Sequence, residues 1–214
     1  MDVIDIFEEH EFSNTNIHPK SEKNTPISWQ TYGQFIASAG YFIIGLIAVS
    51  YLNTTHNNSI ALLQNVLAIV GFGGFSINHL ITGLDQNHII SSNEIHKNGL
   101  LYRLFRFVIQ LSLVVYAVLM YTIDSHKYEM LIFKERLFNK PQISGISINI
   151  ILFLFAHIFL CLVTAFGGNE NIAFFALMLV FAKEFYNGNN DSIITSFARL
   201  SSLFLAIGYI MILF

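Results

Sequence analysis

His157 is the residue whose type and position most invite chemistry. It stands in Phe153-Leu154-Phe155-Ala156-His157-Ile158-Phe159, an imidazole in the middle of an apolar run, with Asn149 two turns earlier on a similar helical face. An ionisable group at membrane depth costs about 2.5–3.5 kcal/mol on insertion scales, so its presence asks for a reason. Two reasons are open: a neutral imidazole bonded to a neighbouring helix, or a station on a polar path. Gln34, Gln64, Asn65, Lys183 and Arg199 are further polar groups within apolar stretches. With Asn149 and His157 they are the candidate lining of such a path, and Arg199 would reach Glu184 if residues 186–191 make a tight loop.

The second concentration of ligand chemistry is His79, Asp85, His88, Glu94 and His96. Imidazole with carboxylate suits zinc or non-haem iron, which makes His79, His88 and His96 the candidate metal ligands. Their gaps of nine and eight residues fit no single helical face. A haem b held by His79 and His157 is a related possibility, but the two would lie about 6 Å and about 14 Å from the same surface at 1.5 Å per residue. Arg103 and Arg106, three apart at the start of an apolar run, are placed to reach lipid headgroup phosphates.

Catalytic signatures are missing from the sequence. It contains no His-Glu-x-x-His, no Gly-x-Ser-x-Gly, no phosphate loop and no Gly-x-Gly-x-x-Gly opening a helix. Cys161 is the single cysteine, which excludes an intramolecular disulfide and a cysteine-rich zinc site. The reading therefore leans away from an enzyme.

The elements that must position these groups follow from hydropathy. From Asn24 to Leu84 no Asp, Glu, Lys or Arg occurs, and the only break is the polar knot Asn53-Thr54-Thr55-His56-Asn57-Asn58-Ser59. A bilayer core of about 30 Å takes about 20 helical residues, and within hydrocarbon a single segment can satisfy its backbone only as a helix. The expectation is an all-α polytopic membrane bundle with spans near 31–52, 60–83, 100–123, 144–166, 171–186 and 192–214. Five spans is the competing count, because the segment between Glu170 and Lys183 is short unless Lys183 snorkels. Gly167-Gly168-Asn169 predicts a tight turn that makes spans four and five a hairpin.

Residues 1–30 differ in kind. Asp2, Asp5, Glu8, Glu9, Glu11 and Glu22 outweigh Lys20 and Lys23, giving an acidic, solvated arm with none of the basic start and apolar core of a signal peptide. Between spans three and four, Met130-Leu131-Ile132-Phe133 followed by Lys134-Glu135-Arg136-Leu137-Phe138 mixes apolar and charged residues as an interfacial helix does. Basic residues divide evenly between the two faces, so the positive-inside rule does not orient the chain.

Small residues recur at helical spacing, Gly33, Ala37 and Gly40 in span one and Ala198, Ser202 and Ala206 in span six, and span two carries Gly71, Gly73 and Gly74. Such faces let helix backbones approach in lipid, within one chain or between copies or partners in a membrane complex. The composition agrees with a lipid-embedded chain, at 54% apolar and only 12% charged residues. A formal net charge of −3 with scattered bases excludes a nucleic-acid surface. Three functions remain: a small channel or transporter for an ion or small solute, a non-catalytic subunit of a larger membrane complex, and a histidine-ligated metal or haem protein.

Overall fold

Long apolar runs in lipid leave the backbone no hydrogen-bond partner but itself, and helices are what this chain forms. The computed structural model describes residues 27–50, 59–87, 99–122, 142–143, 146–187 and 193–214. It contains α1 (Trp29–Ser50), α2 (59–86), α3 (Leu100–Thr122), α4 (Ile148–Phe166), α5 (Asn171–Asn187) and α6 (Ile193–Leu213). α1, α3, α4, α6 and the bulk of α2 are long and apolar enough to cross a membrane. The acidic arm and the expected interfacial helix lie outside the described residues.

Local chemistry sets the helix ends. The Ser28 hydroxyl accepts the Thr31 amide at 3.1 Å and so caps α1. Gly167 and Gly168, at φ +84° and +143°, turn the chain from α4 into α5 as the sequence predicts, and the Asn169 carboxamide oxygen accepts the Asn171 amide at 2.8 Å to start α5. The expected fourth span is too long at its start, because α4 begins at Ile148. Ile146 and Ser147 instead pair in antiparallel register with Ile143 and Gln142, a two-residue ladder that takes up their backbone groups.

α2 is not a uniform helix. Between Ser59–Ala68 and Gly74–Gln86 lies one π-helical turn, Ile69–Gly73. The inward stripe of α2 runs Gln64, Ala68, Phe72, Ser76, His79, Gly83, all buried. Four-residue steps repeated in that way drift off one face of a helix with 3.6 residues per turn; the wider turn absorbs the drift and keeps Phe72, Phe75 and His79 directed inward.

The helices close into a ring. Each packs against its neighbours in sequence, and α1 completes the circuit by packing along α6. Close backbone approach makes that closure possible. A Cβ on Gly33 would lie 2.8 Å from the Gly208 carbonyl oxygen, and one on Gly208 would lie 2.8 Å from the Ala37 nitrogen. Gly71 and Gly74 do the same for α2 against α3, where an added methyl would meet Leu113 and Ile109. Gly33, Gly71, Gly74 and Gly208 are thus packed within one chain, while Gly73 faces open space.

Polarity is distributed as a lipid environment demands. Outward positions are apolar, including Phe42 at 56% exposure, Phe155 at 46% and Phe175 at 48%, far more than an aqueous surface tolerates in one contiguous belt. The polar side chains Gln34, His79, Gln110, Asn149, His157 and Glu184 are inside.

Candidate functional site

The interior of the ring holds a hydrogen-bonded chain contributed by three helices. α1 presents Gln34, Ser38 and Tyr41 inward, at i, i+4 and i+7 on one face. α2 presents His79 and α6 presents Tyr209. His79 Nδ1 lies 2.6 Å from Gln34 Oε1, and because an amide oxygen can only accept, Nδ1 carries the proton and Nε2 is left as the acceptor. Tyr209 donates its hydroxyl to that nitrogen at 3.4 Å, and Tyr41 donates in turn to Tyr209 at 2.6 Å. One direction therefore runs through every bond, from Tyr41 to Tyr209 to His79 to Gln34. The Tyr41 ring also stacks on the His79 imidazole, centroids 5.6 Å apart and 8° from parallel.

Around this chain the polar groups have partners that fix helix positions. Ser38 donates to the Ser76 carbonyl at 2.8 Å and Ser76 donates back to the Ser38 carbonyl at 2.9 Å, a reciprocal clasp between α1 and α2. Thr31 donates to Gln86 Oε1 at 3.3 Å. Gln86 is exposed and Thr31 is buried one turn before Gln34 on α1, so polar groups lie both at the surface and inside at that end of the ring.

His157 is fully buried at the midpoint of α4, and neither ring nitrogen has a hydrogen-bond partner among the described residues. Its ring packs at steep angles against Phe153, 4.3 Å between centroids, and Phe75, 5.3 Å. The sequence places Asn149 on the same helix. The structure pairs it with Glu184 of α5, Nδ2 to Oε1 at 2.8 Å, both residues buried. Gln64 and Asn65 are buried near the start of α2. Lys183 is half-buried, and the Arg199 Nε donates to the Phe185 carbonyl at 3.0 Å while its guanidinium lies 5.0 Å from the Phe185 ring centre.

The two arginines expected at lipid headgroups have partners within the protein. Arg103 donates to the carbonyls of Thr164, at 3.1 Å, and Ala165, a cation placed on the unpaired carbonyls of the α4 C-terminus where the helix dipole favours it. Arg106 forms an ion pair with Glu170. Together they tie α3 to the α4–α5 hairpin, and the Thr164 hydroxyl adds a bond to Gln110 at 3.0 Å.

For a metal, His88 and His96 lie outside the described residues. Among the described ones no three His, Cys, Asp or Glu side chains gather as a ligand set. Both nitrogens of His79 are engaged by Gln34 and Tyr209. A porphyrin bridging His79 and His157 would have to displace Phe75, whose ring packs against both imidazoles.

Sequence reasoning picked out His79 and His157 and missed Tyr41, Tyr209 and Gln110. A signal for Tyr41 was present in its seven-residue spacing from Gln34. The site and fold together define an all-helical bundle with polar groups in its interior and five helices long and apolar enough to cross a membrane. The chain matches no family model, no curated protein and no solved structure.

Proposed function

We propose that the protein is a small membrane transporter or channel with six spans, and that the cargo its interior suits best is the proton. The observation that carries this reading is the single-direction chain Tyr41, Tyr209, His79, Gln34 inside the ring. Chains of this kind relay protons, because a hydroxyl accepts and releases at its one oxygen and an imidazole accepts on one nitrogen and releases from the other. A proton arriving at the Tyr41 oxygen sends the Tyr41 proton to Tyr209 and the Tyr209 proton to His79 Nε2. His79 then releases the proton on Nδ1 toward the Gln34 side, and water entering at that end of the ring, where Thr31 bonds to the exposed Gln86, takes it to the surface. One proton enters and one leaves; rotation of the two hydroxyls, together with a flip of the His79 ring that returns its proton to the Gln34 side, resets the chain.

Purified protein in liposomes loaded with a pH-sensitive dye tests the reading after an acid step outside. Wild-type protein speeds internal acidification over empty liposomes. His79→Ala slows it by about tenfold or more, each tenfold being about 1.4 kcal/mol of barrier. Wild-type liposomes no leakier than empty ones, or a His79→Ala variant as fast as wild type, would end the proposal.

A further inference from the structure

A buried imidazole with no partner is the anomaly of this interior. A neutral ring carries one N–H donor and one acceptor, and leaving such groups unpaired in a dry interior costs about 1–3 kcal/mol each. Neither nitrogen of His157 is compensated among the described residues. One side chain packs against both His157 and the hydrogen-bonded chain. The Phe75 ring lies 5.1 Å from the Tyr41 ring, 6.0 Å from the His79 ring and 5.3 Å from the His157 ring, centre to centre. It is 2% exposed. It also follows directly on the π-helical turn Ile69–Gly73 and on Gly74, and π turns concentrate at functional sites because they alter helix phase locally.

We infer that His157 is a second proton-binding station, shut off from Tyr41 and His79 by the Phe75 ring, and that displacement of this ring joins the two. The inference rests on the proton-relay reading of the chain. Moving the ring aside opens a space bordered by the Tyr41 ring and two imidazoles, and a space with polar partners fills with water where an apolar one stays dry. Water there hydrogen-bonds a His157 nitrogen on one side and the Tyr41 hydroxyl on the other. A proton bound at one nitrogen of His157 leaves from the other through that water to the Tyr41 oxygen, and the ring returns to neutral. The station receives its proton from the Asn149 end of α4, two turns or about 12 Å away. Opposite ends of the ring are thereby connected through a gate at its centre.

Two measurements on the full-length protein test this. The first is the liposome proton flux of Phe75→Ala, His157→Ala and the double variant. The second is deuterium uptake at the C2 carbon of the His157 ring, read by mass spectrometry, which requires water at the imidazole and is independent of flux. Phe75→Ala is expected to raise flux by about tenfold, a gate barrier of about 1.4 kcal/mol, and to speed deuterium uptake at His157, while Phe75→Ala with His157→Ala returns flux to the wild-type rate or below. Phe75→Leu, which keeps most of the packed volume, gives a smaller rise of the same sign and carries the test if the alanine variant does not fold. A faster flux that survives His157→Ala overturns the station. Unchanged flux in Phe75→Ala despite faster deuterium uptake overturns it equally. If wild type conducts and His79→Ala does not, either of those results removes the gate alone; if no variant exceeds empty liposomes, the relay itself falls and the station with it.

Discussion

Direction in the interior chain is decided at one atom, the Nδ1 of His79. Because Gln34 presents its oxygen there, Nε2 must accept, and the two tyrosines can only line up as donors toward it. Removing the middle hydroxyl and removing the terminal one then have different consequences. Tyr209→Phe leaves His79 Nε2 without its donor and Tyr41 without its acceptor, and is expected to cost about 2–3 kcal/mol of stability, since each stranded buried group costs on the order of 1 kcal/mol or more. Tyr41→Phe removes only the last donor and leaves the Tyr209–His79 bond, for about 1 kcal/mol. Thermal unfolding in mild detergent measures the order; equal losses, or a larger one for Tyr41→Phe, would mean the chain does not run toward His79. Both variants interrupt the relay and slow liposome acidification. The two histidines were legible in the sequence because an ionisable residue in an apolar run stands out by composition alone. The tyrosines were not, since a phenol is unremarkable in a membrane helix and the pairing of Tyr41 with Tyr209 joins residues 168 apart. Only the ring closure brings them together.

Among the elements, glycine separates positions where the backbone needs room from positions where it does not. Gly208 sits against the Ala37 backbone and the Gly33 carbonyl, atoms that cannot swing aside as a flexible side chain does. Gly208→Ala is therefore expected to destabilise by about 1–3 kcal/mol through overpacking. Gly73 has open space around the position of a Cβ, so Gly73→Ala is tolerated and gains up to about 1 kcal/mol from reduced unfolded-state freedom. A denaturant titration of both variants checks the contrast, and a Gly73→Ala loss as large as that of Gly208→Ala would contradict it. Hydropathy located the described helices, and the small residues Gly33, Ala37 and Gly40 marked the correct face of α1. Gly208 went unremarked because its partner is a backbone on the far end of the chain. The π turn in α2 has no hydropathy signature, yet it was legible after the fact in the four-residue steps from Gln64 to Ser76. The start of α4 was placed too early because Ile146 and Ser147 are as apolar or as neutral as a helix start, and only their strand pairing distinguishes them.

For the whole molecule, the proposed sixth crossing rests on α5. With 17 residues it is about 25 Å long at 1.5 Å per residue, a few ångströms under the hydrocarbon thickness of about 30 Å. Its packing is that of a full member of the ring: Ala173, Leu177 and Val180 are completely buried against α4 and α6, while Ile172, Phe175 and Leu179 face outward. The shortfall lies within what local bilayer thinning and a snorkelling Lys183 absorb, and Tyr186, 84% exposed at the far end, is an aromatic of the type that marks the headgroup level. If α5 crosses, the turn at Asn169 and the end at Tyr186 open to opposite faces, and the turn shares its face with the junction at Gly99 because Arg103 and Arg106 bind that hairpin from the start of α3. In a Cys161→Ser background, Asn169→Cys and Gly99→Cys are expected to react with a membrane-impermeant maleimide from one side of oriented vesicles, and Tyr186→Cys only from the other. Labelling of Asn169→Cys and Tyr186→Cys from the same side would make α5 a re-entrant segment. The polar column would then open to one face alone, and a path from the Asn149–Glu184 pair through His157 and Tyr41 to Gln34 would no longer join two aqueous compartments.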